Sequence, residues 1–278
     1  MSNFGKQIRL NRILGSPDHR PLIIAFDHGL PLGPIPGTTD PVGQVKKFVE
    51  SGVDAVLLNP GMIQHCLPSL LHPNPPALIM RIDWSSLWTP LGINGKLRSA
   101  SIASPEHALR SGADAVLTYL LMGTGDVEFE AGEIARNAQI ARECEQVGIP
   151  LIVESLARGK NLVNPATPEL IMRHTRIAVE LGADVIKTEY TGDQISMAKV
   201  VELCPVPVMV LGGERKNSDD DALRMLRELL ESGARGVFFG RNVFQAPDVL
   251  KFLRTVRSVL NGKRMDARVD EALSVTTR

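Results

Sequence analysis

The chain has 278 residues, and its 31 basic side chains balance 31 acidic ones, which excludes the basic footprint of a nucleic-acid binder. Its three cysteines, Cys66, Cys144 and Cys204, have neither CxxC spacing nor nearby histidine clusters, so neither a disulfide framework nor a structural zinc site is expected. No apolar run approaches the roughly eighteen residues of a membrane span, and "MSNFGKQIRLNRIL" lacks a signal-like apolar core, so a soluble cytoplasmic protein is expected.

In chain order, the first predicted strand is "PLIIAF" from Pro21, ending at Asp27 and His28. A helix over 41–51 leads to "SGVDAVLL" from Ser51, a strand ending in Asn59. The third strand, "ALIMRI" from Ala77, ends on Arg81 and Asp83 with Trp84 beside them. After a helix over 105–111, "SGADAVLT" from Ser111 is the fourth strand and ends in Tyr119. A helix over 128–147 leads to the fifth strand, "PLIVES" from Pro150, which ends in Glu154. A helix over 167–181 precedes "LGADVIKT" from Leu181, the sixth, which ends on Lys187. The seventh, "VPVMVL" from Val206, runs into Gly212 and Gly213. A helix over 218–232 and the eighth strand, "SGARGVFF" from Ser232, bring in Gly240 and Arg241, and a last helix covers 249–260.

Four of these stretches read alike, each a glycine stop after a helix and then a strand, with glycines at 52, 112, 182 and 233. Short, nearly continuous apolar runs alternating with helices indicate a parallel sheet covered on both faces, and eight of them close a TIM (β/α)8 barrel. No G-x-G-x-x-G follows the first strand, which argues against an open doubly wound sheet. The expected organisation is one barrel domain over 1–278, with the segment 1–20 and the tail 261–278 peripheral.

A barrel of this kind carries its active site at the C-terminal strand ends, so the polar residues named above converge on one rim. Gly212, Gly213, Gly240 and Arg241 fall in the two loops that usually bind phosphate in this fold; the alternative is that they only form tight strand-to-helix turns. A lysine among apolar barrel residues loses hydration of its charged form, and its pKa falls from about 10.4 toward about 7 or 8. Lys187 is then either an amine that attacks a ketone to form a Schiff base, or a structural partner of Glu189 or Asp27, or a snorkelling side chain. Metal-assisted chemistry needs several histidines or carboxylates on one ion, and the histidines here are scattered, so no metal and no cofactor are expected.

"AFDHGLPLGPIPG", "ADVIKTEYTG", "VLGGERKNSDDDAL" and "SGARGVFFGRNVFQ" resemble the archaeal-type class I fructose-bisphosphate aldolase family, and the likeness runs from "RLNRIL" to Gln245. The resemblance implies a Schiff-base lysine at Lys187, an active-site acid at Asp27, phosphate held by the last two loops, and a homo-oligomer. Its "DHGxxxGPxxG" opening, Asp27 to Gly37, looks more like the thiolase relatives that act on a phosphorylated dione. Other relatives are synthases that join a sugar-derived phosphate to an amino-acid semialdehyde. Many members carry a general-acid tyrosine in a "YPRG" turn, where this chain reads "ESLARG" and has Leu156. Glu154, Tyr119 and Asp27 are the candidates for proton transfer, with Glu154 and Asp27 favoured. Glu154 is otherwise a salt-bridge partner of Arg158 or Arg81, and Tyr119 a loop anchor; His28 and Arg81 complete the expected substrate-binding set. The expected partner is a phosphorylated small molecule. A barrel that binds sugar phosphate without turnover is the reading from another class.

Overall fold

The computed structural model describes residues 3–89, 96–159 and 162–262. The tail from residue 263 lies outside the described residues. The strands are β1 (Leu22–Ala25), β2 (Ala55–Leu58), β3 (Ala77–Arg81), β4 (Asp83–Ser85), β5 (Ser99–Ser101), β6 (Ala115–Met122), β7 (Leu151–Ala157), β8 (Val185–Thr188), β9 (Val208–Leu211) and β10 (Gly236–Phe239). All but β4 and β5 form a closed parallel barrel in chain order, with β10 pairing back onto β1. This is the expected single-domain TIM barrel.

The helices are α1 (Phe4–Leu14), α2 (Gly29–Leu32), α3 (Pro41–Glu50), α4 (Pro60–Leu70), α5 (Pro105–Arg110), α6 (Val127–Val147), α7 (Pro168–Glu180), α8 (Gln194–Leu203), α9 (Asp219–Glu231), α10 (Arg241–Phe244) and α11 (Val249–Leu260). Among the described residues none is long and apolar enough to cross a membrane. The four repeat glycines have φ of +66°, +82°, +105° and +82°, the left-handed conformation that closes a helix. Two residues after each of the first three comes an aspartate that ties neighbouring strands at the bottom of the barrel. Asp54 accepts from Leu22 N, Asp114 from Leu78 N and Asp184 from Leu151 N. In the fourth copy Arg235 takes that place and donates to the carbonyls of Leu14 and Ser16.

The helix α1 packs against the barrel. Ile13 and Leu14, at the end of α1, are buried with the inward-facing residues Ile23, Leu57, Ile79 and Val185, so the helix plugs the N-terminal end of the barrel. The helices α1, α2, α4, α8 and α10 and the β4–β5 hairpin lie outside the predicted elements. The strands β6 and β7 also run further than expected, which places Tyr119 and Glu154 inside strands rather than at their ends.

Candidate active site

Strand periodicity decides what the barrel holds. Ala25, Ile79, Leu117, Ile152 and Val185 belong to the apolar layer inside it, and side chains two residues on point to the same face. Those positions are Asp27, Arg81, Tyr119, Glu154 and Lys187. The apolar filling therefore gives way within one step to a layer of charge, and all five residues are at least nine-tenths buried. Tyr119 pairs in register with Glu154, and Glu154 with Lys187, across three adjacent strands.

Burial of so many charges requires that they satisfy one another. Arg81, 1% exposed, is the hub. Its Nε donates to Asp27 Oδ2 at 2.5 Å, its Nη1 to Asp83 Oδ1 at 3.2 Å, and its Nη2 to Glu154 Oε2. Tyr119 lies against the guanidinium face, 3.9 Å from ring centre to Arg81 Cζ. With each of its three nitrogens bonded to a carboxylate, Arg81 fixes the two candidate acids at the wall of the cavity. Lys187 Nζ lies 2.8 Å from Glu154 Oε1 and 5.1 Å from the centre of the Phe238 ring. Its partner is thus neither Glu189, which pairs with Arg158 at 2.9 Å, nor a direct contact with Asp27.

The electrostatics follow from this geometry. Burial would raise the Asp27 carboxyl, but the charges of Arg81, Lys187 and His28 outweigh it and hold the group far below the usual carboxylate range. Glu154 is likewise kept low against burial, first by Lys187 and then by Arg81. Burial drives the Tyr119 phenol far above its ordinary value, so it stays protonated; a hydrogen bond with Trp88 works weakly the other way. His28, whose Nδ1 lies 3.6 Å from Asp27 Oδ1, is held neutral by burial, with Lys187 and Arg241 adding to the effect and Asp27 opposing it.

Behind the layer stands a support that sequence reasoning missed. Asp83 Oδ2 accepts from Tyr119 N at 2.7 Å and from Arg136 Nη1 at 2.6 Å, while Arg136 also bonds Glu133 and the Tyr119 carbonyl. Arg136 reaches in from α6. Glu133 and Asn137, its neighbours on that helix, are both buried, which the sequence does not signal.

These residues open into a cavity of about 580 Å³ lined by Asp27, His28, Arg81, Tyr119, Glu154 and Lys187 together with Gly212, Gly213, Gly240 and Arg241. Gly213 has φ +68°, and a Cβ at Gly240 would lie 2.6 Å from His28 Cε1 and 2.9 Å from the Ala25 carbonyl, so both positions need glycine. Buried Asn242 shapes these glycine loops. It donates to the Gly212 and Glu214 carbonyls and accepts from Lys216 N. Arg241 Nη1 lies 3.6 Å from Glu214, and its Nε is buried without a hydrogen-bond partner. Leu156, Trp88 and Arg158 also line the cavity; Trp84 does not. Among the described residues no three His, Cys, Asp or Glu side chains are grouped to hold a metal ion.

Comparison with known proteins agrees with this arrangement. The model of the DeoC/LacD family of aldolases matches residues 21–246. An uncharacterized aldolase of Saccharolobus solfataricus is 34% identical over 98% of both chains. The 2-amino-4,5-dihydroxy-6-oxo-7-(phosphonooxy)heptanoate synthase of Streptomyces griseus is 34% identical over 88% of this chain and 86% of its own. Among solved structures, an archaeal fructose-1,6-bisphosphate aldolase, its catalytic lysine bound to the carbinolamine intermediate of the substrate, superimposes with a TM-score of 0.79. It is 30% identical, with 92% of this chain and 99% of that one covered.

Proposed function

The chain belongs to the DeoC/LacD aldolase family, and from that premise we propose that it is a metal-independent class I aldolase in which Lys187 forms the Schiff base with a phosphorylated ketose. The observation that carries the reading is the Lys187–Glu154 contact of 2.8 Å inside a cavity that Gly213, Gly240 and Arg241 also line as a cradle.

In this mechanism Glu154, a carboxylate, takes a proton from the Lys187 ammonium, and the freed amine adds to the substrate ketone to give a carbinolamine. The protonated Glu154 returns the proton to the carbinolamine hydroxyl, water leaves, and the iminium forms. Asp27, also a carboxylate, removes the proton of the substrate hydroxyl whose carbon is to become the aldehyde. The carbon-carbon bond breaks, its electron pair moves into the iminium, and an enamine and an aldehyde result. Protonation of the enamine carbon and hydrolysis release the second product and restore Lys187. Tyr119, protonated and bonded by Trp88, is a donor at the cavity wall and not a base. The cradle and Arg241 hold the phosphate, so that remote binding fixes the ketone over Lys187. Borohydride reduction in the presence of fructose 1,6-bisphosphate and other ketose phosphates, followed by peptide mapping, tests the reading; no adduct at Lys187 with any tightly bound ketose phosphate would overturn it.

The likeness to the Streptomyces griseus synthase supports a second reading, in which the same enamine is captured by a second aldehyde and not by a proton. A product assay with and without an added semialdehyde separates the two. A thiolase would instead show a requirement for a thiol acceptor such as coenzyme A. Cytoplasmic location and assembly as a homo-oligomer belong to the same reading, and light scattering decides the latter.

A further inference from the structure

Arg158 is a cation of the catalytic cavity that the mechanism does not use. It follows β7 and lines the cavity together with Glu189, which follows β8. The arginine fork takes both oxygens of that carboxylate, Nη1 donating to Oε2 and Nη2 to Oε1, each at 2.9 Å. The fork is fixed in place. Arg158 N donates to the Met122 carbonyl at 2.8 Å, and Nη1 also donates to the Ala157 carbonyl at 2.6 Å. Gly159, the next residue, is pressed so closely on Gly123 that an added Cβ would sit 2.1 Å from its carbonyl oxygen. A planar fork held in this way is what arginine offers to a carboxylate or a phosphate. Here a side chain of the protein already fills the place of an incoming anion. The pair is also within reach of a ligand, since the two side chains line the cavity and are 17% and 20% exposed. Glu189 stands two residues beyond Lys187, at most about 7 Å of chain.

The charges around the cavity decide what it can take. Arg81, Arg158, Lys187 and Arg241 line it, and so do Asp27, Glu154, Glu189 and Glu214, so the lining carries no net formal charge with His28 neutral. Arg81, Arg158 and Lys187 are each bonded to a buried or half-buried carboxylate, whereas Arg241 stands 3.6 Å from the exposed Glu214. A phosphate group brings a charge of about −1.5 to −2. One such group is met by Arg241 and the backbone N–H groups of the glycine loops. A second would have to lie beside the Glu189 carboxylate or break its two charge-assisted bonds to Arg158, and both routes count against it.

We propose that Glu189 sets the substrate class: by occupying the Arg158 fork it admits a ketose with one phosphate and rejects a ketose bisphosphate. The inference rests on the reading of this cavity as a ketose-phosphate site, and it adds which ketose phosphates enter.

Calorimetric titration of the full chain carrying Lys187→Met, which forms no Schiff base, gives the affinities of fructose 1-phosphate and fructose 1,6-bisphosphate. The monophosphate should bind at least about tenfold more tightly. Addition of Glu189→Gln, or of Glu189→Ala, should move the ratio toward the bisphosphate by at least about tenfold, a gain that misfolding does not produce. Further addition of Arg158→Met should abolish that gain. Borohydride labelling of the unaltered chain with the same two sugars reads the Schiff base separately: no adduct despite binding would overturn the lysine mechanism and leave the role of Glu189 standing. That role is overturned if the bisphosphate binds the Lys187→Met chain as tightly as the monophosphate, if both glutamate variants leave the ratio unmoved, if the gain survives Arg158→Met, or if neither sugar binds.

Discussion

Lys187 and Glu154 are register partners on adjacent strands, and their functional atoms meet at 2.8 Å within the barrel. The carboxylate is therefore placed by sheet geometry and not by a loop, and it reaches the amine before any substrate enters. Lys187→Met should abolish borohydride-dependent labelling and lower turnover by at least about 10³-fold, while Glu154 keeps its bond to Arg81 and the fold persists. Glu154→Gln, which preserves size, should lower kcat by about 10²–10⁴-fold. Steady-state kinetics and the rate of labelling check both.

Removal of the hub should be felt in stability as well as rate. Arg81→Met leaves Asp27, Asp83 and Glu154 buried without their shared cation and should destabilise the fold by about 3–5 kcal/mol, measured by urea unfolding. Arg81→Lys should not rescue it, since an ammonium cannot satisfy three carboxylates with one planar fork.

Arg241→Met tests the proposed phosphate contact in the cavity. KM for a phosphorylated ketose should rise about 10–100-fold with kcat little changed, and an unphosphorylated analogue should be indifferent to the change. Equal loss for both substrates would place Arg241 outside phosphate binding.

His174 gives the fold a pH dependence remote from the cavity. It is 2% exposed, bonds Ser155 Oγ through Nδ1 at 2.7 Å, and is pushed by burial down to about 3. The unfolded chain takes up a proton near pH 6.5 that the folded chain refuses, so stability is present above that pH and falls by about 1.4 kcal/mol per unit below it, until about pH 3. Urea midpoints measured from pH 7 to 5 should show this decline, and the double variant His174→Leu, Ser155→Ala should lack it. Asp27 and Glu154, held low, add a further loss only below about pH 4.5, because their contribution is complete above the unfolded carboxylate values.

Eight strands and the rim position of Lys187 were legible because glycine stops and β-branched runs are local signals. The last helix, 249–260, was also readable, since its apolar stripe and the Asp248 cap lie side by side in the chain. Other features are tertiary facts. The helix α4 was obscured by Pro60, Gly61 and Pro68, which read as loop. Arg81 looked like a ligand for substrate because nothing in "ALIMRI" tells that three carboxylates from other segments converge on it. The role of Glu154 was half visible, as its position is set by the strand but its partners are set by barrel closure. Arg136 lies on a helix whose polar face reads as solvent-exposed. Leu156 stands where the resembling family has a tyrosine, and the cavity sets Glu154, from the same strand, beside the amine.

The aspartate ties at the bottom of the barrel also bear on how the chain reaches its fold. Asp54, Asp114 and Asp184 each join positions 32, 36 and 33 residues apart, so each tie closes within one neighbouring βαβ unit. The seam where β10 meets β1 is different, and beside it Arg235 bonds the Leu14 carbonyl at the end of α1 across 221 residues. Closing a loop of that length costs about 1.5 kcal/mol more than closing one of thirty-five. Assembly should then proceed by local accretion of strands, with the α1 plug and the β1–β10 seam the last to form and the first to open.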